Sequence, residues 1–176
     1  MAHGATMRRF DLALADADRG VYEQLSWRVA QHPSESDRYL VARVLARALE
    51  HAEGLDFSKG GVSDGVEPAL VQRDLRGDLL AWIEVGSPAV DRLHRASKAA
   101  PRVVVYTWKP EQLAAELAGA RLHRAPELVA LPVELLDGLA GTLDRNNKWE
   151  LSVTGGVVYV AAAGAQLEGA VERIAG

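Results

Sequence analysis

The stretch Asp74-Leu75-Arg76-Gly77-Asp78-Leu79-Leu80-Ala81-Trp82-Ile83-Glu84-Val85-Gly86-Ser87-Pro88 decides how the rest of the chain is read. Arg76-Gly77 is a turn signal, and Leu79 to Val85 is a mostly apolar run of strand length, which reads as a buried β-strand. Glu84 is the lone acid in that run, and a Gly86-Ser87-Pro88 stop follows it at once. A carboxylate is rarely buried unless it is paired, protonated or bound to a metal. Glu84 is therefore the strongest functional pointer in the sequence. The competing reading puts it on a solvated face against a surface Arg.

C-terminal to this strand, Val90, Leu93, His94 and Ser97 mark a short helix, with Pro88 suited to its N1 position and an end near Ala100-Pro101. Arg92, Arg95 and Lys98 recur at i, i+3 spacing and share one face of it. Arg102-Val103-Val104-Val105-Tyr106-Thr107 is a β-branched run, the best central-strand signal in the chain. Strand, helix, strand in this order implies a parallel crossover. Lys109-Pro110 opens a further helix to about Leu122, Glu127 to Leu131 reads as a short strand, and Pro132 to Leu143 as a helix. Trp149 to Val153 and Val157 to Val160, joined across Gly155-Gly156, form a closing hairpin, followed by an Ala- and Gly-rich tail without a signal of its own.

N-terminal to the strand, Phe10 to Asp16 alternates apolar and polar residues and Tyr22 to Val29 does so more loosely. With the turn formers Asp16 to Gly20 between them, they read as an opening hairpin. A helix from Ser34 to about His51 carries Leu40, Val41, Val44, Leu45, Ala48 and Leu49 on one stripe. Ser34 suits the N-cap, with Glu35 and Asp37 in the first turn, where the helix dipole favours acids. Capping explains Ser34 and Asp37 without a site; the alternative is that this helix start abuts a polar pocket. Glu53 to Gly65 is loop-like, and Glu67 to Gln72 reads as a strand pairing with Leu79 to Val85.

At 176 residues the chain fits one domain, 1–176, large enough for a core without staples. It has no cysteine, which excludes thiol nucleophiles, disulfides and Cys-ligated zinc. No apolar run reaches membrane-spanning length and no signal-peptide core precedes Phe10, so the expectation is a cytoplasmic protein with no membrane partner. The net charge of −4, with acids and bases interspersed, argues against a broad basic face for nucleic acid and leaves room for a local patch. No phosphate-binding glycine loop, nucleophile elbow or HExxH pair is present.

What remains is acidic: Glu35 at a helix start, Glu67 or Asp78 around a hairpin, and Glu84 late in a strand. Carboxylates converging from a helix and a sheet suit a hard divalent cation such as Mg²⁺ or Mn²⁺. Such a site can generate hydroxide and stabilise a phosphoryl transition state.

The residues His32-Pro33-Ser34-Glu35-Ser36-Asp37, Glu67-Pro68, Asp74-Leu75-Arg76-Gly77-Asp78, Leu80 to Gly86 and Val103 to Tyr106 together resemble the YaeQ family. They span the N-terminal two thirds of the chain. The resemblance implies bacterial origin and an α/β (α+β) fold in which one mixed sheet is flanked by helices. It implies a variant of the PD-(D/E)XK nuclease fold, with an α-β-β-β-α-β core holding metal-binding acids and a lysine, and with N- and C-terminal hairpins added. It carries no established reaction with it.

The nuclease pattern fits in part. Its acid-x-Lys ends here as Glu84-Val85-Gly86, so a cation must come from elsewhere; Arg95 or Lys98 on the next helix is the expected source. Asp78 matches the family's Gly-Asp, yet it lies about 20 Å from Glu84 along a regular strand. With the hairpin turning near Arg76-Gly77, the residues across from Glu84 fall near 67 to 70, so Glu67 is the partner that geometry prefers. The expected site is thus Glu84 with Arg95 or Lys98, metal ligands among Glu35, Glu67, Asp78 and Glu84, and Ser34 and Trp82 around the pocket. Two functions follow: a metal-dependent phosphodiesterase or nuclease, or a catalytically inactive descendant that binds nucleic acid or a protein.

Overall fold

The computed structural model describes residues 4–59 and 67–174. The glycine-rich part of the expected loop, 60–65, lies outside them. The alternation of Phe10, Leu12 and Leu14 with polar neighbours builds β1 (Thr6–Asp16), which pairs antiparallel with β2 (Val21–Gln31) as the expected hairpin. The first helix, α1 (Asp37–Leu49), starts later than Ser34: the N-cap is Ser36, whose side chain accepts from the Tyr39 backbone N–H at 3.1 Å. After it come β3 (Leu55–Phe57), β4 (Leu70–Arg73), β5 (Leu79–Val85), α2 (Val90–Ala99) and β6 (Arg102–Thr107). β5 and β6 have the limits that their apolar runs predict. Pro88 precedes the α2 N-cap, Ala89, instead of occupying N1. The chain continues through α3 (Pro110–Ala118), β7 (Glu127–Ala130), α4 (Val133–Ala140), β8 (Asn146–Thr154) and β9 (Val157–Ala162). The tail adds β10 (Ala165–Ala170) and β11 (Glu172–Ile174), neither of which the sequence signals.

The architecture is α+β with mixed sheets, as expected, but the strands divide between two sheets instead of one. β1 pairs in parallel with β8, which joins the opening and closing hairpins into a five-stranded sheet of order β10-β9-β8-β1-β2. The second sheet has the order β11-β7-β6-β5-β4-β3, with β5, β6 and β7 parallel. Helix α1 causes the division. Every residue from Leu40 to Leu49 is buried, Arg43 and Arg47 included, so beyond its first turn this helix has no solvent face. It packs with α4 in a core that takes Phe10, Leu12 and Trp149 from one sheet and Leu70, Ile83 and Tyr106 from the other. Each such aliphatic side chain contributes about 1.5–3 kcal/mol by leaving water.

Helices α2 and α3 cover the opposite face of the six-stranded sheet. Leu93, Ala96 and Leu113 pack there on Val103, Val105 and Leu128. Strand alternation therefore sends Ile83 and Val85 toward α1, and Trp82 and Glu84 toward α2.

Candidate functional site

β5 and β6 run parallel, and their chains leave the sheet side by side at Gly86 and Trp108. The carboxyl ends of parallel strands are where open α/β sheets place ligands, because the loops there diverge. A cleft of about 440 Å³ opens at this point. Its walls come from Glu67 to Ala69 ahead of β4, Tyr39 and Arg43 of α1, Arg92 of α2, and Trp108 and Lys109 after β6. Gly86 forms part of the floor with φ of +95°, a backbone shape that disfavours side chains. A Cβ there would lie 3.6 Å from the Tyr39 ring and 3.8 Å from the Trp108 ring, so both aromatics close on bare backbone.

Glu84 is 4% exposed and faces α2. Its Oε1 accepts from the Trp82 indole Nε1 at 2.7 Å and from the Arg92 guanidinium Nε at 2.6 Å. Trp82 reaches it because residues two apart on a strand share a face. Arg92 reaches it because the first turn of α2 begins beside the end of β5, and it also donates to the Glu67 backbone carbonyl. The buried carboxylate is thus compensated by one cation and one neutral donor.

Glu35 is held in the same manner. Arg43 forks onto it, Nη2 to Oε1 at 3.0 Å and Nε to Oε2 at 3.1 Å, with the two side chains 2% and 0% exposed. Arg43 also donates to the Ala30 carbonyl at 2.8 Å. Burial lifts the Glu35 carboxyl above its ordinary range even though Arg43 and the His32 backbone N–H oppose that rise. Between these ion pairs sits Tyr39. Its hydroxyl is pushed up to about 12 by burial and by the nearby Glu84 carboxylate, so it is a neutral donor at any physiological pH.

The structure brings together part of the expected set. Glu84 and Glu67 meet at the cleft, and Glu67 precedes the strand paired with β5, as the hairpin geometry requires (Leu70 lies opposite Ile83). Trp82 does not line the cleft and touches it only through its bond to Glu84. Glu35 is tied to Arg43 and does not line the cleft. Asp78 is exposed at the turn that opens β5, at the far end of the strand from Glu84. Ser34 is exposed and bonded to the His32 ring at 2.7 Å, outside the cleft. Arg95 and Lys98 are exposed on α2 and do not line the cleft either. Lys98 lies two turns below Arg92, about 9 Å down the axis. Of the three cations, Arg92 reaches the strand end, where Arg95 or Lys98 was the expected source. Tyr39, Arg43, Trp108 and Lys109 line the cleft without a site motif in the sequence, and Arg92 is marked there only as part of a helix face. The signal for Trp108 and Lys109 was their place at the end of the central strand β6, next to the end of β5.

The donor set does not fit a metal centre. Among the described residues no group of three or more His, Asp or Glu side chains is placed to hold an ion. The cation beside Glu84 is a guanidinium, and both oxygens of Glu35 face another. Nor is any helix, among the described residues, long and apolar enough to cross a membrane.

Fold and cleft together define an α+β protein with, among the described residues, two mixed sheets and four helices, and a polar cleft at the ends of parallel strands. The chain belongs to the YaeQ protein family, whose model matches residues 1–171. Similar solved structures are the YaeQ protein of Pseudomonas syringae (TM-score 0.87, 32% identity, 98% of this chain and 97% of that one) and that of Xanthomonas axonopodis pv. citri (TM-score 0.88, 31% identity, 96% and 97%). The uncharacterized protein YaeQ of Escherichia coli (strain K12) is 33% identical over 108 residues, covering 61% of this chain and 59% of that protein's length. The uncharacterized protein YaeQ of Salmonella typhi is 26% identical over 174 residues, 96% and 94% of the two lengths.

Proposed function

We propose that this protein binds the phosphodiester backbone of a nucleic acid in the cleft and does not hydrolyse it. The observation that carries this reading is the Glu84–Arg92 contact at 2.6 Å. The Arg92 guanidinium already compensates the Glu84 charge that a divalent cation would draw on for hydrolysis, which favours a binder. The order α1-β3-β4-β5-α2-β6 matches the α-β-β-β-α-β order of the nuclease-like core and supports a phosphodiester as the ligand. Fold analogy alone says nothing of activity, so the site chemistry decides between binder and hydrolase. Lys109, exposed at the cleft and without an acceptor among the described residues, supplies a cation for phosphate. The net charge of −4 keeps such binding local to the cleft.

The test is oligonucleotide binding by fluorescence anisotropy in EDTA and in Mg²⁺ or Mn²⁺, with a cleavage gel and a melting curve under each condition. Binding that is equal with and without metal, no cleavage, and a melting temperature unmoved by metal are expected, since only a ligand of the folded state raises it. Metal-dependent cleavage abolished by Glu84→Gln would restore the hydrolase reading, and absence of nucleic-acid binding would refute the proposal.

A further inference from the structure

Three hydrogen-bond donors at the cleft have no acceptor among the described residues: the Tyr39 hydroxyl, the Trp108 indole N–H and the Lys109 ammonium. The contrast with Trp82 is informative, because that indole is spent on Glu84. Trp108 is half-buried against the core, which steadies its ring; it lines the cleft and stacks on no other aromatic side chain among the described residues. Tyr39, also half-buried, closes on the same point of the floor at Gly86. Rigid aromatic planes beside a cation are what single-stranded nucleic-acid sites use, because every base has a π-face and every linkage a phosphate.

From this placement we infer that the cleft takes one unpaired nucleotide, its base on the Trp108–Tyr39 wall and its phosphate at Lys109. The inference rests on the cleft being a nucleic-acid site and adds which form of nucleic acid it selects. A volume of about 440 Å³ is that of a small-ligand pocket. A base inside a duplex reaches such a pocket only by being flipped out, at the expense of its stacking and pairing, so an unpaired strand binds more tightly. The cations support the same choice. Arg92 is bonded to Glu84, and Arg43 to Glu35, so neither is a mobile phosphate contact. Lys109 alone predicts a shallow dependence on salt, where a duplex-tracking groove shows a steep one.

The experiment compares a 5′-phosphorylated oligothymidylate of about 12 nucleotides with the same strand in a duplex, with thymidine monophosphate and with inorganic phosphate as competitors. It uses the full chain and the variants Trp108→Ala, Trp108→Phe and Lys109→Gln. The single strand is expected to bind at least about ten-fold more tightly than the duplex, and the mononucleotide to compete where inorganic phosphate does not. Trp108→Ala is expected to weaken the single strand at least about five-fold, while Trp108→Phe, which keeps a stacking face, retains most of the affinity. Lys109→Gln is expected to lower the slope of log K against log salt by about 0.7. Because Lys109 is exposed, its variant reports on binding even if Trp108→Ala fails to fold. Equal affinity for duplex and single strand, or unchanged affinity in both Trp108→Ala and Lys109→Gln, overturns this inference and leaves the nucleic-acid reading standing. No binding of either form overturns both.

Discussion

Replacing Arg43 by Met tests whether Glu35 is half of an ion pair or a carboxylate available to a metal. The substitution keeps most of the aliphatic volume and removes a fork whose bonds to Glu35 are 3.0 and 3.1 Å long. It strands a carboxylate of zero side-chain exposure, with the His32 backbone N–H at 3.3 Å as its remaining donor among the described residues. Removing one partner of a buried pair costs about 3–5 kcal/mol, since the remaining charge keeps its desolvation penalty. For a chain of this size that is a fall of roughly 6–20 °C in melting temperature. Glu35→Gln is milder, about 1.5–3 kcal/mol, because Arg43 keeps the Ala30 carbonyl and its place over the Phe57 ring. The double change Glu35→Leu with Arg43→Met recovers most of the loss, as apolar replacements of whole buried pairs do.

The pH dependence supplies an independent check. Burial already raises the Glu35 carboxyl, and loss of Arg43 raises it further. An acid whose folded-state value lies above its unfolded one binds more protons when folded. Its ionised form therefore costs stability at high pH, and that cost shrinks as pH falls toward the ordinary value of 4.5. Urea unfolding at about pH 8 and about pH 5 should show the Arg43→Met penalty larger at the higher pH. A variant within about 1 kcal/mol of the parent at pH 8, or a penalty that grows on acidification, would mean that Arg43 does not compensate Glu35, and the metal-ligand reading of that residue would return.

Gly86→Ala should cost about 1–2 kcal/mol through its positive φ alone, since the added Cβ meets the Tyr39 and Trp108 rings at ordinary contact distance; urea unfolding checks this, and an unchanged midpoint would refute it. Glu50, which caps α1, is the anchor of a second network. Burial acts to raise its carboxyl, but bonds from Arg102 at 2.9 Å and the Tyr106 hydroxyl at 2.6 Å outweigh that and hold it below its ordinary range. Its contribution to stability is present above the unfolded value of 4.5 and lost as pH falls through the depressed folded one. Glu50→Gln should therefore lower stability near neutral pH and flatten the acid limb, and melting curves between about pH 6 and pH 3 would show an unchanged limb if the network were not there.

Where a segment's own pattern matches its final surroundings, the chain announces its structure. Ile83 to Val85 and Val103 to Thr107 are buried on both faces, so a nearly unbroken apolar run suffices to mark β5 and β6 as strands. Glu84 stands out for the same reason, as the only acid in such a run. The tail is the opposite case. Strand β10 carries Gly169 where a Cβ would stand 2.6 Å from the Pro132 ring, so close approach to α4 demands a small residue and erases the hydrophobic signal.

Long-range pairing and the choice among equivalent cations belonged to the tertiary structure. Nothing local in Phe10 to Asp16 or Asn146 to Val153 specifies that they lie parallel and share a sheet, since that register depends on two segments more than a hundred residues apart. Arg92, Arg95 and Lys98 share a helix face and a charge, and only the docking of α2 against the end of β5 puts Arg92 on Glu84 while leaving the other two in water. Local sequence marked the central strands β5 and β6 and singled out Glu84 within one of them; packing between distant segments buried that carboxylate and determined what neutralises it, because a buried charge takes whichever partner the assembled core brings within hydrogen-bonding distance.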